Sequence, residues 1–349
     1  MPRFSVIAWC LLSSAAVAAE PSFTPLPDLP GGETNTSVTA LSYDGRVAVG
    51  GSGSNLNPLA DPLSVYPYRW ARDTGIVALS EWPGFANDVS ADGSVVVGRY
   101  SLANPPRPRV AFRWTEATGP VSLEDLTQSA GSFAYGVSAN GMIVAGESAG
   151  QAVRWTADGQ VMDLGAATTL PVWLSSDGSI ASGTRATGLN PDAFRWTAAE
   201  GVVLLGQLPG AEDSTVRDMT PDGRVIVGNS GVRGYRWTPE AGMTEFPFAP
   251  RALSDDGGII VGISSIWTEA TGAVQIQPFL TGLGLDLTGW TLTSVTAISG
   301  DGTTIAGQGI PPDPAMSGAW IATIPEPATW LLLASALASL ALCRRLNSA

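Results

Sequence analysis

The residues able to do chemistry in this 349-residue chain are few in kind. It has no histidine, all 18 basic residues are arginines, and its two cysteines, Cys10 and Cys343, stand at opposite ends. A body without His, Cys or Lys supports no Ser–His triad, no thiol nucleophile and no His- or Cys-ligated zinc. What remains is a carboxylate pair, or a tyrosine nucleophile with an arginine cluster. The carboxylates with the most regular spacing belong to the pattern Ser/Thr-x-Asp/Asn-Gly-x4-Gly, which occurs seven times. Its central pairs are Asp44-Gly45, Asp92-Gly93, Asn140-Gly141, Asp177-Gly178, Asp222-Gly223, Asp256-Gly257 and Asp301-Gly302. Such carboxylates can ligate a metal or act as acids. One beside every turn glycine is instead what a tight hairpin asks for, so a structural role is expected. Asp88, Asp218, Arg217, Arg251 and Tyr135 fall on the expected innermost strands, where they can face a central channel. Asp255-Asp256 and Glu212-Asp213 offer oxygen ligands to calcium, but without calcium-loop spacing, so no metal and no cofactor is expected.

The elements that must position these groups follow from the repeat. A hydroxyl precedes each turn glycine by three residues (Ser42, Ser90, Ser138, Ser175, Thr220, Ser254, Ser299), and a second glycine follows five later (Gly50, Gly98, Gly146, Gly183, Gly228, Gly262, Gly307). In the second copy, Ala91 and Asp92 suit the centre of a type I turn, and Gly93 closes it in the left-handed conformation. An aliphatic residue stands before each turn and a short β-branched run after it, as in Val95-Val96-Val97. Each copy then reaches a tryptophan (Trp70, Trp114, Trp155, Trp196, Trp237, Trp267, Trp320), preceded by arginine in five of them, and a fourth apolar strand. Four short strands per repeat make a β-propeller blade, with the tryptophan expected as a wedge between neighbouring sheets. The expected fold is all-β, a seven-bladed propeller of four-stranded blades. Residues 23–30 resemble the fourth strand that the seventh unit lacks, so an N-terminal strand should close the ring and remove two sheet edges.

Val-Ser-Ala-Asp-Gly-x-Val-Val-Val-Gly at 89–98, Ala-Phe-Arg-Trp-Thr at 111–115 and 193–197, and Leu-Gly-x-Leu-Pro-Gly at 205–210 resemble the HAF-family extracellular repeat of bacteria. The resemblance covers most of residues 23–324 and implies a secreted β-propeller-like protein without an established activity. The sixth and seventh copies depart from it, with Ile266 and Ala319 in place of the arginine.

The ends read as sorting signals. Residues 1–19 have the basic start, the short apolar run and the Ala16-Val17-Ala18 site of a signal peptide. Residues 20–324 form the seven-repeat body. Residues 325–349 begin with Pro325-Glu326-Pro327, continue in an apolar stretch from Ala328 to Leu342 that reads as a single hydrophobic helix, and close with Arg344-Arg345 before the last residues. This layout resembles the PEP-CTERM sorting signal of bacteria that make extracellular polysaccharide. The resemblance implies cleavage near Pro325, Glu326 and Pro327 by an exosortase-type enzyme. It also implies export across the inner membrane, a transient anchor through the C-terminal helix, then a cell-surface or extracellular location.

Between Glu20 and Glu326 the body carries 15 arginines against 31 acids, a net charge near −16, which argues against nucleic acid as a partner. The long second-to-third-strand loops, Ser52–Pro67, Leu102–Arg109 and Pro311–Ser317, should share a face with the blade-to-blade crossings. Trp82, Trp290, Arg107 and Arg109 are the expected ligand contacts on that face. The function expected is that of a monomeric, non-enzymatic surface or matrix protein binding an extracellular polysaccharide or a surface protein. The alternative is a propeller glycosidase or lyase acting on extracellular polysaccharide.

Overall fold

The computed structural model describes residues 20–31, 35–54, 64–101, 109–127, 131–168, 171–186 and 190–325. The expected signal peptide, the apolar C-terminal helix, Arg107, Glu326, Pro327, Arg344 and Arg345 lie outside these residues.

The described residues form seven four-stranded antiparallel sheets, each following sequence order outward except the last. Their innermost strands are Ser37–Leu41, Gly84–Val89, Ser132–Val137, Val172–Leu174, Thr215–Met219, Pro250–Leu253 and Thr291–Ile298, in blades 1 to 7. Consecutive innermost strands touch around the whole circle, and that of blade 1 touches that of blade 7, so the propeller is closed. The outer edge of blade 7 is completed by Ser22–Pro25, antiparallel to Ala319–Thr323 with Pro25 opposite Trp320. Leu26 extends the pairing by donating its amide to the Ala319 carbonyl, and Leu26 and Leu29 are buried. Phe23 stacks on Trp320 at 5.8 Å and meets Trp290 edge-on at 5.2 Å.

The repeat is built from contacts between blades. In the third blade, Trp155 packs against Val95, Val97 and Ala111 of the blade before it and Val144 and Val153 of its own. Trp320 does the same against Ile259, Val261 and Ile266 of blade 6. The arginine before the tryptophan points to the opposite face of the strand, toward the following blade. Arg69, Arg113 and Arg154 donate to the turn carbonyls of Gly93, Gly141 and Gly178. In blades 1 to 3 the Arg-Trp pair thus fastens a blade to both neighbours; in blade 4 Arg195 pairs instead with Glu200 of its own blade.

Each hairpin closes in the same way. In blade 2, Ser90 Oγ donates to Asp92 Oδ1 at 2.7 Å and accepts the Val95 amide at 3.0 Å, and Asp92 Oδ1 accepts the Ser94 amide. Asn140 serves identically in blade 3. Gly93 has φ +71°, and a Cβ there would come within 2.5 Å of Val47 of the preceding blade. The second glycine has a different cause. A Cβ on Gly98 would lie 2.0 Å from the Phe85 carbonyl oxygen of the innermost strand.

Three features depart from the sequence reading. The strands run on into the first long loop, with Ser52 paired to Tyr66 and Gly51 to Pro67, so the connection is only 54–64. A seven-residue helix, Ile276–Gly282, fills the crossing from blade 6 to blade 7, burying Ile276 and Leu280. Trp290 lies under it in the core and is 7% exposed, so it is not a surface ring. Among the described residues, no helix is long and apolar enough to cross a membrane.

Candidate functional site

The innermost strands enclose a central cavity of about 420 Å³. Two rings of residues shape it. The first is formed by the hairpin turns. Backbone amides of Tyr43, Ala91, Ala139 and Ser176 donate to the carbonyls of Ala91, Ala139, Ser176 and Pro221 on the next blades. Asp255 donates to Gly300, and Asp301 to Tyr43. Pro221 has no amide hydrogen, so the junction between blades 5 and 6 has no bond of this kind.

The second ring comes from β-bulges. In six blades the register of the innermost strand against its neighbour skips a residue that lines the cavity: Thr39, Asn87, Tyr135, Arg217, Arg251 and Thr296; the strand of blade 7 skips a second residue, Thr293, nearer its start. A bulge leaves one residue outside the ladder and re-aims its side chain, which suits a site. Blade 4 has a regular three-residue strand and contributes Trp173 instead. In order around the channel, the ring reads Thr39, Asn87, Tyr135, Trp173, Arg217, Arg251 and Thr296. One arc is aromatic and cationic; the other carries hydroxyls and an amide.

Asp88 and Asp218 also line the cavity, one residue beyond the bulge. Each joins two blades. Asp88 accepts the amides of Val89 and, across the junction, Val137, both at 2.8 Å. Asp218 accepts those of Met219 at 2.8 Å and Leu253 at 2.9 Å, spanning the junction where Pro221 gives no amide bond. Both keep some surface toward the cavity, but protein atoms surround the carboxylates. Burial pushes each up to about 7, against the pull of its two amide bonds, and for Asp218 the charges of Asp88 and Asp255 add to the rise. Asp255, at the hairpin end, is pushed up to about 6 by burial and by Asp256 and Asp301. Asp177, in an Asp-Gly turn, behaves oppositely: hydrogen bonds from Ser179 and Ser175 hold it at about 2.

Arg217 and Arg251 are exposed to the channel and, among the described residues, make no hydrogen bond or ion pair. Desolvation, then the neighbouring Arg251 charge, lowers the Arg217 guanidinium from its usual value. Tyr135 is raised, mainly by burial, with Arg99 opposing and Glu147 adding. It stacks on Phe133 at 5.8 Å, and the Arg99 and Arg109 guanidinium groups lie 5.2 and 5.6 Å from the Phe133 centroid. Arg99, which the sequence reading did not single out, therefore joins Arg109 in a cation–π cluster running outward from the channel.

The structure thus gathers Asp88, Asp218, Arg217, Arg251 and Tyr135 around one cavity. Trp82 is elsewhere, partly buried at the crossing into blade 2, with its amide on Ser80 Oγ. Among the described residues, no group of three or more acidic, Cys or His side chains is placed to hold a metal.

The fold is similar to that of an oligogalacturonate lyase from Vibrio parahaemolyticus, with TM-score 0.55 at 11% identity, covering 88% of this chain and 98% of that one. A TolB from Acinetobacter baumannii aligns at TM-score 0.43 and 17% identity over 62% of this chain, which spans only 55% of that protein. A TolB-like protein from Agrobacterium tumefaciens aligns at 0.45 and 14% identity, over 64% of this chain and 79% of that one. No curated protein matches the chain in sequence. The PEP-CTERM protein-sorting motif matches residues 323–345, so the chain is a seven-bladed propeller that carries a sorting signal for export and exosortase-type processing.

Proposed function

We propose that the mature protein is a non-enzymatic binding scaffold of the cell surface or extracellular matrix that takes a glycan in its central channel. An N-terminal signal peptide of residues 1–19 exports it, and the C-terminal segment anchors it until it is cut near Pro325. The resemblance of its repeats to the HAF family fits this setting. The observation that carries the reading is the bulge ring. Six bulged strands and the regular strand of blade 4 present Thr, Asn, Tyr, Trp and Arg side chains to one cavity, which is how a repeat scaffold builds a site.

Two features argue for binding without catalysis. Asp88 and Asp218 are the carboxylates an acid–base mechanism would recruit, yet in each one oxygen accepts the amide of the next residue in its own strand and the other accepts an amide of the following blade. A tyrosine nucleophile needs its phenol to ionise, and burial holds Tyr135 the other way. The second reading, a lyase or glycosidase, draws on the likeness in fold to an oligogalacturonate lyase and on two channel carboxylates raised to about 7, where a general acid works best. Incubating the mature exported protein with its host's extracellular polysaccharide separates the two. The binding reading expects retention on the polymer with no new reducing ends or unsaturated products. Cleavage that is lost in Asp88→Asn or Asp218→Asn would establish the second reading instead.

A further inference from the structure

We infer that the bulge ring binds an acidic sugar, with its anionic group held between Arg217 and Arg251 and its ring against Trp173 or Tyr135. The inference rests on the channel being the ligand site and adds the ligand's charge and orientation.

Among the described residues most arginines are engaged. Arg46, Arg185, Arg195, Arg224 and Arg233 pair with carboxylates, and Arg69, Arg113 and Arg154 hold turn carbonyls. Arg217 and Arg251 have neither kind of partner among the described residues, although the chain has a net charge of −13 and acids in excess. Of the others without such partners, Arg99 and Arg109 lie over the Phe133 ring and Arg236 is part of the repeat Arg-Trp pair, so these two are the ones that face the channel. They occupy equivalent bulge positions on adjacent blades and repel one another. A fold that needed only filler there would place neutral groups, as it does with Thr39 and Thr296 in blades 1 and 7. The channel carboxylates do not supply the missing counter-charge. Asp88 and Asp218 are tied to amides, and Asp255 sits at the hairpin end. A carboxylate or sulfate from outside would relieve the repulsion, and the planar guanidinium fork fits either.

The rest of the ring fits a sugar better than a bare anion. Trp173 adjoins Arg217 in blade order and Tyr135 follows, giving apolar faces beside the charge. Across the channel, Asn87 uses Nδ2 on the Ala134 carbonyl, which leaves Oδ1 to accept from a hydroxyl. The cavity of about 420 Å³ lies within the usual range of small-ligand pockets, roughly 300–1,000 Å³.

The test is calorimetric titration of the mature protein with three oligosaccharides of matched length: a uronate oligomer, a sulfated galactan oligomer and a neutral glucan oligomer. Wild type is compared with Arg217→Ala/Arg251→Ala and with Arg217→Gln/Arg251→Gln. An acidic probe should bind, weaken as salt rises, and lose at least about tenfold in affinity in both variants while the melting temperature holds. Which acidic probe wins assigns the anion as carboxylate or sulfate. Equal affinity for the neutral probe, or full acidic affinity in the variants, would overturn the role of charge and leave the channel as a glycan site. Absence of binding by all three probes and by the host polysaccharide would overturn both the inference and the reading beneath it.

Discussion

The hairpin ring and the bulge ring lie only a few residues apart on the same seven strands, yet they obey opposite rules. At the hairpins a hydroxyl, an Asp or Asn and a glycine recur in every blade and make the same bonds, from Ser42–Asp44 to Ser299–Asp301. At the bulges the residue differs in chemistry around the circle, from Thr39 through Tyr135 to Arg217. Identity between copies marks a position whose task, closing a turn against the next blade, is the same everywhere. Divergence at one register, with the bulge kept in six of the seven blades, marks a position where that task is not shared: Thr39 and Asn87 still bond the next blade, at the Ala86 and Ala134 carbonyls, while Arg217 and Arg251 do not. An internal repeat therefore serves as its own control for separating frame from site.

The frame can be broken most severely at its closure. Deleting residues 23–30 removes the outer strand of blade 7, the buried Leu26 and Leu29, and the Phe23 rings' contact with Trp290 and Trp320. Large-to-small changes at buried leucines cost about 2–5 kcal/mol each, so the loss should approach the whole stability of a typical domain. Chemical denaturation of the truncated protein should show a collapsed or absent transition; an unchanged midpoint would mean the ring does not close here.

A single turn tests the frame more gently. Gly141 has φ +70° and a Cβ there would lie 2.5 Å from Val95, whereas Gly119 has φ +64° with open space around it. Gly141→Ala should cost about 1–3 kcal/mol more than Gly119→Ala, since both carry the backbone strain but only one the clash. Equal losses in denaturant titrations would show that the hairpins do not lock blade to blade.

A test spread over several residues lies in pH. Asp88 and Asp218 sit near 7 and Asp255 near 6 in the folded protein, against about 4 for an unfolded aspartate. The folded state therefore holds more protons between these values. The stability these groups contribute is fully present below about pH 4 and is lost as pH rises toward 7. Asp177 works the other way: held at about 2, it loses its contribution only as pH falls from about 4 toward 2. Melting temperatures should thus decline from pH 5 to pH 8, and Asp88→Asn/Asp218→Asn should flatten that decline. A rise in stability over the same range would contradict the burial of these carboxylates.

The frame was legible in the sequence because it rests on local rules. Turn glycines, hydroxyls and tryptophans recur at fixed spacing, and the spare strand at residues 23–30 matched the one missing from the last unit. The site was legible only in outline. Arg217, Arg251 and Tyr135 could be placed on inner strands, but an inserted bulge residue such as Arg217, between Val216 and Asp218, carries no glycine or proline to announce it. Asp88 could be read only as facing the channel, because its partner, the Val137 amide, is 49 positions away. The helix Ile276–Gly282 escaped notice for a related reason: it is two turns long, contains Pro278, and is held by burying Ile276 and Leu280 more than by propensity. Trp290 was misplaced with it, since the cover that buries this ring is that helix.

The claim that the bulge ring is the site and the hairpin ring the frame is tested most directly by hydrogen exchange on the mature protein, with and without the host's extracellular polysaccharide. Exchange should slow in the bulged strands Ser132–Val137, Thr215–Met219 and Pro250–Leu253 and stay unchanged in the hairpin residues 42–47, 90–95 and 299–304. Protection confined to the hairpins, with the bulged strands unaffected, would contradict it.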